Sequence, residues 1–156
     1  MVAWAAHDCE MHFCDFTAEG VASKSKPSSK RVIIQNPVLC GLFVSENTYV
    51  GCGYDNAPLL FKRQGDGSWK MTGSLDAGYG RQRASNINKD AFGGRSVFFE
   101  GAQIEEGVAS VNQDTLHQNY INDCQAYVRS PDGNVQVITT SDPNGNINYW
   151  DVSAHL

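Results

Sequence analysis

The opening segment crowds four potential metal ligands into eight residues, namely His7, Cys9, His12 and Cys14. Zn²⁺ binds imidazole nitrogens and thiolates, so this cluster is the first place to consider metal chemistry. The spacing matches no known zinc finger, and a strand through 11–16 would put His12 and Cys14 on one side while Cys9 stays in the turn. We therefore predict core packing and no metal here. A zinc-dependent module is kept as an alternative, which purified protein without stoichiometric zinc would exclude.

A second set of reactive side chains lies around Trp150, near the other end of the chain. The imidazole of His117 stands about 33 residues before it, which suits a repeat of about 40–45 residues. Thr140 and Asp142 add a hydroxyl and a carboxylate. Buried imidazole, hydroxyl and indole groups are costly unless they satisfy one another. We predict that this set holds a sheet together and that His117 has no catalytic use.

Segment 141–152 positions this set with a turn and a strand. Asn144-Gly145 supplies the turn, since both residues tolerate positive φ, and the strand closes on Trp150-Asp151. A tight turn, a short alternating strand and a terminal Trp-Asp pair are typical of one blade of a WD-repeat propeller. The predicted structural blade residues are His117, Thr140, Asp142, Asn144, Trp150 and Asp151, with Thr139 as an alternative to Thr140 and Asn144 as an alternative to Asp142.

Composition favours a single globular all-β domain. The chain has 156 residues, 41% apolar and 19% charged, and its fifteen glycines accompany short apolar runs. A net charge of −5 argues against nucleic acid as a partner, because a general binder needs a basic face. No apolar run reaches the length of a membrane span. Five cysteines without a Cys-x-x-Cys motif indicate reduced, mostly buried thiols in the cytosol.

Strand and turn patterns predict a partial propeller of about two and a half blades. Near-continuous apolar strands in 37–75 suit a blade packed on both faces, with Phe61-Lys62 at the Trp-Asp position and Asp55 in the turn. Gly51 and Gly53 predict close approach of the backbone. The predicted segments are 1–16, the second half of a blade; 17–36, a basic loop with an outer strand; 37–75, a complete blade; 76–114, an insert with a possible short helix; 115–152, the last blade; and 153–156, a tail.

The insert at 76–114 is glycine-rich and has little strand pattern. One short helix is predicted inside it, capped by Ser85, with Ile87 and Ala91 on one face and Gly93-Gly94 at its end. A long loop in a compact fold is usually functional or disordered, and both readings remain open here. The predicted partner-binding residues are Arg81, Arg83, Ile87, Phe92, Val97, Phe98 and Phe99.

Two further motifs fall short of the chemistry they suggest. Asp142-x-Asn144-x-Asn146 resembles the start of a calcium loop, but Ile147 stands at the sixth position, where glycine is needed, and Ser153 at the twelfth, where glutamate is needed. The glycines of 73–80 lack the Lys-Ser/Thr of a phosphate loop. No cofactor, metal or catalytic residue is predicted.

Several stretches together resemble a known family: Leu42-Phe-Val-Ser-Glu-Asn47, Gly53-Tyr-Asp55, Pro58-Leu-Leu-Phe61, Gly73-Ser-Leu-Asp76, Thr115-Leu-His-Gln-Asn119 and the terminal Trp-Asp. Their order, with the long insert before the last blade, is similar to the WD-repeat subunit (subunit one) of the actin-related protein 2/3 complex. The resemblance covers nearly the whole chain but only the C-terminal portion of the family's length. The early blades and the family's tail are missing, so we expect a fragment or a truncated gene model.

The resemblance implies a seven-bladed propeller that is not an enzyme but a scaffold in a complex nucleating branched actin filaments. It implies as partners the other subunits of that complex, actin filaments and nucleation-promoting factors. It places the chain in the cytoplasm, at the actin cytoskeleton. In the family the insert carries a short amphipathic helix that contacts actin or its activators, a role that falls on 81–99 here, with Phe92 as the best-matched anchor. The alternative is a WD-repeat scaffold of an unrelated multiprotein complex.

Overall fold

The computed structural model describes residues 1–16, 29–77 and 115–156. These residues form ten β-strands in three antiparallel sheets, without an α-helix. No helix in these ranges has the length and apolar character needed to cross a membrane. Residues 17–28 of the predicted basic loop at 17–36 fall outside the described residues, and so does the predicted insert helix.

The three sheets follow one another along the chain. The first sheet contains β1 (Val2–Ala6), β2 (Glu10–Cys14) and β3 (Lys30–Ile33), in the order β1-β2-β3. The central sheet is a four-stranded meander of β4 (Val38–Ser45), β5 (Thr48–Gly53), β6 (Leu59–Arg63) and β7 (Trp69–Ser74). The last sheet contains β8 (Asp123–Arg129), β9 (Val135–Ser141) and β10 (Ile147–Asp151), followed by a 3-10 turn at Ser153–His155.

Three hairpins use the same five-residue turn, at 64–68, 130–134 and 142–146. In each, the N–H of the fourth residue donates to the carbonyl of the first, and the first residue's N–H donates to the carbonyl of the fifth. The fourth residue is always glycine with positive φ, at 77° in Gly67, 88° in Gly133 and 84° in Gly145. A type I turn followed by a left-handed residue is the usual three-residue hairpin loop.

The core lies in two clusters, one on each face of the central sheet. Tyr49 and Phe61 face the first sheet, where they join Met11 and Phe13. A second cluster fills the space between the central and last sheets, and includes Val50, Cys52, Leu60, Ile121, Ile138 and Trp150. Because successive strand residues point to opposite faces, β5 is buried at all six positions. Stacked sheets with a doubly buried middle layer are the expected arrangement of propeller blades.

Backbone crowding explains one glycine of the central sheet. A Cβ on Gly53 would lie 2.3 Å from the carbonyl oxygen of Pro37. No side chain fits at that distance, so the start of β4 and the end of β5 can approach each other only with glycine here.

The predicted fold class is confirmed. The described strands form antiparallel sheets that do not close into a ring, which is the architecture of a partial propeller. Ten strands correspond to about two and a half blades of four strands each. Among the described residues, the first and last sheets each have three strands, and the central sheet has the full set of four.

Candidate functional site

A buried polar network holds the last sheet together, and we define it as His117, Thr140, Asp142 and Trp150. Two strands position its centre: Thr140 lies on β9, and Trp150 lies on the neighbouring β10. The indole Nε1–H of Trp150 donates to Thr140 Oγ1 at 2.7 Å. The same hydroxyl lies 2.7 Å from His117 Nε2. One threonine therefore joins the indole to the imidazole.

The imidazole of His117 extends the network to a carboxylate. Its Nδ1 lies 2.8 Å from Asp142 Oδ2. The Asp142 carboxylate can only accept, so Nδ1 of the imidazole donates to it. The indole, the hydroxyl, the imidazole and the carboxylate thus form one continuous hydrogen-bonded series.

Asp142 is also the acceptor that shapes its own turn. Its Oδ1 accepts the backbone N–H of Asn144 at 2.9 Å and that of Asn146 at 3.1 Å, while the Asn146 side chain donates to Oδ2 at 3.0 Å. Burial alone would raise the pKa of Asp142, but the hydrogen bonds from the side chains of Asn146 and His117 and from these backbone amides lower it to about 2. The carboxylate is thus the fixed negative charge on which the turn and the imidazole depend.

Burial decides what this network can do. A threonine, a histidine and an aspartate in hydrogen-bonded series resemble a nucleophilic relay. However, Thr140 is 1% exposed and His117 is fully buried, so the hydroxyl is closed to a substrate. Its oxygen is also occupied by the indole of Trp150. The arrangement fixes the segment before β8 against the β9–β10 hairpin.

Sequence reasoning missed two members of this site, Asn146 and Asn148. The amide nitrogen of Asn148 lies 3.0 Å from His117 Nε2. Asn148 stands two residues before Trp150, so the period of two in a strand places both on one face and could have revealed it. No comparable spacing signal identifies Asn146, which acts through the geometry of the turn.

The side chains of Asn144 and Asp151 bond outside the network. The side-chain oxygen of Asn144 accepts from Asn119 at 3.4 Å. Asp151 Oδ1 accepts the backbone N–H of Ser153 at 2.9 Å, and hydrogen bonds from Ser153 lower its pKa. Asp151 therefore shapes the turn that follows β10.

The two ends of the insert are joined by a carboxylate. The backbone N–H of Leu116 donates to Asp76 Oδ2 at 2.8 Å. Asp76 is buried, which raises its pKa, although the Leu116 amide and the charge of His117 act against that rise. The predicted partner-binding residues, Arg81, Arg83, Ile87, Phe92, Val97, Phe98 and Phe99, lie outside the described residues.

The His and Cys cluster of the opening segment forms part of the first sheet. The ring of His12 stacks on Trp4 with centroids 5.1 Å apart, and its Nε2 lies 3.4 Å from Glu10 Oε2. Cys9 occupies the turn with a φ of 62°, and Cys14 is buried. In the parts of the chain that the structure describes, no three His, Cys, Asp or Glu side chains are grouped to hold a metal ion.

Architecture and network together define the class of protein. Antiparallel sheets stacked as blades, with a tryptophan joined through threonine and histidine to an aspartate, are the features of a WD-repeat β-propeller. No protein-family model matches the chain.

Curated relatives make the comparison more specific. The chain is 25% identical over 158 aligned positions to actin-related protein 2/3 complex subunit 1A of Arabidopsis thaliana, with 97% of this chain and 39% of the relative covered. It is 28% identical over 153 positions to subunit 1A-B of Xenopus laevis, with 96% and 37% covered. The resemblance to subunit one read from the sequence is thereby confirmed. The chain spans about two fifths of the length of the curated relatives it matches.

Proposed function

We propose that this chain is a non-catalytic scaffold subunit of an actin-related protein 2/3 complex, which nucleates branched actin filaments. The observation that carries this proposal is the similarity to subunit 1 proteins of that complex over 96–97% of the chain. The buried network supports a structural role, because its reactive groups are used to hold a blade. In this proposal the chain works in the cytoplasm, at the actin cytoskeleton.

The proposed mechanism is binding by rigid sheets. Apolar side chains stand exposed on both outer sheets: Trp4 is 42% and Ile33 70% exposed on the first, and Tyr127 is 65% and Tyr149 62% exposed on the last. Exposed apolar surface of this kind marks sites of protein contact. We assign these faces to contacts within the assembly, with other subunits or further blades.

The insert is the proposed contact with actin filaments or with nucleation-promoting factors. Arginine and aromatic residues of 81–99 supply charge and apolar anchors, which are the residue types enriched at binding hot spots. The hydrogen bond between Leu116 and Asp76 supports this role, because it holds the two ends of the insert at one place on the sheets.

Affinity purification tests the assembly. The chain is tagged at its own locus, so that its natural form is captured, and the bound proteins are identified by mass spectrometry. We expect two actin-related proteins and a fixed set of smaller subunits in constant ratio. Recovery of a different constant set would favour the alternative, a WD-repeat scaffold of an unrelated multiprotein complex.

A second experiment separates the insert from the assembly. The variants Phe92→Ala and Phe98→Ala/Phe99→Ala are purified in the complex, and filament branching is counted by microscopy. We expect normal subunit recovery with about thirtyfold fewer branches, since a single hot-spot aromatic contributes about 2 kcal/mol or more. Met71→Ala, at an exposed position of the central sheet, is the comparison for a change outside the insert. Undiminished branching by both insert variants would contradict the proposed contact.

A further inference from the structure

Three thiols meet between the central and last sheets, and we call Cys40, Cys52 and Cys124 the thiol cluster. They come from β4, β5 and β8. Cys40 and Cys52 are directly paired across the antiparallel β4–β5 ladder. Cys52 is fully buried, and Cys124 and the partly buried Cys40 belong to the same apolar cluster. Three cysteines from three strands thus lie in one cluster.

Cys40 is the most accessible member of the cluster. It is half-buried, whereas Cys124 is 6% exposed. Its Sγ lies 3.9 Å from the carbonyl oxygen of Cys52 and 4.0 Å from that of Ile121. The neighbouring Cys52 thiol lowers the pKa of Cys40, although burial acts in the opposite direction. A larger thiolate fraction and partial exposure make a cysteine react first with an oxidant.

Cys52 has the opposite character. The neighbouring thiols of Cys124 and Cys40, together with burial, raise the pKa of Cys52. Cys52 lies directly opposite Cys40 in the ladder, which is the position of a resolving cysteine.

We propose that Cys40 and Cys52 form a peroxide-sensitive pair that closes into a cross-strand disulfide. The Cys40 thiolate attacks one oxygen of hydrogen peroxide, the O–O bond breaks, and a sulfenic acid forms while the released hydroxide takes up a proton. Cys52 then loses its proton and attacks the Cys40 sulfur, so that the S–O bond breaks and water leaves. Two thiols lose two electrons, and one peroxide is reduced to two waters.

Geometry favours this pairing over the alternative within the cluster. Cβ atoms of directly opposed residues lie about 4.5–5.5 Å apart, and a disulfide needs about 3.5–4.5 Å, so a small local movement suffices. A register shift between Val38 and Cys40 gives β4 that freedom. Cys124 lies on the last sheet and has no register partner among the cysteines, whereas the strand register places Cys40 directly opposite Cys52.

Disulfide mapping tests the proposal on the full chain of 156 residues. Protein is exposed to hydrogen peroxide, unreacted thiols are blocked with N-ethylmaleimide in denaturant, and peptides are analysed by mass spectrometry. Trypsin leaves both cysteines on one peptide, whereas chymotrypsin cuts between them at Phe43 and Tyr49. We expect the Cys40–Cys52 bond to exceed every other pair about tenfold.

Variants and a denatured sample complete the test. Cys9→Ser removes a thiol outside the cluster, and Cys124→Ala removes the third member, so both are expected to keep the bond. Cys40→Ser is expected to abolish it. Oxidation in denaturant controls for folding, since an unfolded chain pairs its cysteines without this preference. A dominant Cys52–Cys124 bond, or the same pairing pattern in native and denatured samples, would overturn the proposal.

Discussion

The central and last sheets solve the same packing problem with opposite chemistry. In the last sheet Trp150 on β10 reaches over to Thr140, whose partner in the strand register is Asn148. In the central sheet the corresponding strand carries Phe61, and Gly51 lies where a threonine would stand. A Cβ on that glycine would be 3.1 Å from the Phe61 ring, so the phenyl group occupies the space that a hydroxyl would need.

The two sheets differ in the kind of interaction on which their stability depends. Hydrogen bonds in the last sheet have direction, and each missing partner leaves a buried polar atom unsatisfied. The central sheet depends on an aromatic cluster, in which Phe13 stacks on Trp69 with centroids 4.2 Å apart and meets Phe61 at 5.8 Å. Apolar packing tolerates changes of shape better than changes of volume. We therefore expect the central sheet to respond to lost volume and the last sheet to lost polarity.

The largest effect is expected from Phe61→Ala. This ring is fully buried, and truncating a buried phenylalanine removes apolar contacts and leaves a cavity, at a cost of about 3–5 kcal/mol. Urea denaturation measures the change. The control is Met71→Ala, because Met71 pairs with Phe61 across β6–β7 yet is 47% exposed. Equal losses in the two variants would contradict a volume-limited central sheet.

A smaller loss is expected from Thr140→Val, which keeps volume and removes the hydroxyl. The Trp150 indole loses its acceptor, so the free energy of unfolding should fall by about 1–3 kcal/mol. Thr139→Val is the matched control, since Thr139 is the next residue on β9 and lies on the opposite face. The same urea series applies, and a neutral Thr140 variant would show that polarity does not limit this sheet.

An acid-dependent effect is expected from Asp142→Asn. The folded-state pKa is about 2, below the usual value of about 3.9. A depressed carboxylate pKa stabilises the fold fully above about pH 4–5, and that stability is lost as the pH falls towards 2. Asparagine does not titrate, so the variant should show a flatter stability profile between pH 5 and about 2.

Thermal unfolding at a series of pH values provides this measurement. Asp123→Asn serves as the comparison, because Asp123 belongs to the same sheet and is exposed. Parallel acid profiles of the wild type and the Asp142 variant would count against the carboxylate as the titrating group.

The smallest effect is expected from Asp55→Ala in the central sheet. Asp55 Oδ1 accepts from the Asn36 side chain at 2.9 Å, in the turn where the last sheet has Asp142. One part-buried hydrogen bond contributes about 0.5–1.5 kcal/mol, and no imidazole depends on it. Asn36→Ala should cost the same, and the double variant no more, in a double-mutant cycle by urea denaturation. Two independent, additive losses would instead mean that the pair does not interact.

The sequence identified those parts of the fold that depend on local patterns. The four strands of the central sheet lie within 37–75, where apolar strands are predicted, because polar turns bound the apolar runs there. The turn before β10 lies at the predicted residues. Asn144 and Gly145 both tolerate positive φ, and of these two it is Gly145 that adopts it. The sequence predicts β3 only as an outer strand somewhere in 17–36. Its four residues pair with β2, which lies far from them in the sequence.

The candidate site shows the same limit. The spacing of His117 and Trp150 predicts that the two residues lie close together, because it fits the period of a WD repeat. Spacing alone leaves Thr139 as an alternative to Thr140, and Asn144 as an alternative to Asp142. The observed hydrogen bonds involve Thr140 and Asp142. The meeting of Cys40, Cys52 and Cys124 could not be foreseen, since contacts between sheets depend on packing that no local pattern encodes.

The bond from Leu116 to Asp76 holds the two ends of segment 77–115 together. A change in the length of that segment therefore alters mainly the entropy of closing the loop. Doubling a flexible loop costs about 0.6 kcal/mol. A peptide of a different length or sequence could therefore be grafted between these two residues, and the chain would present it from the same anchored point.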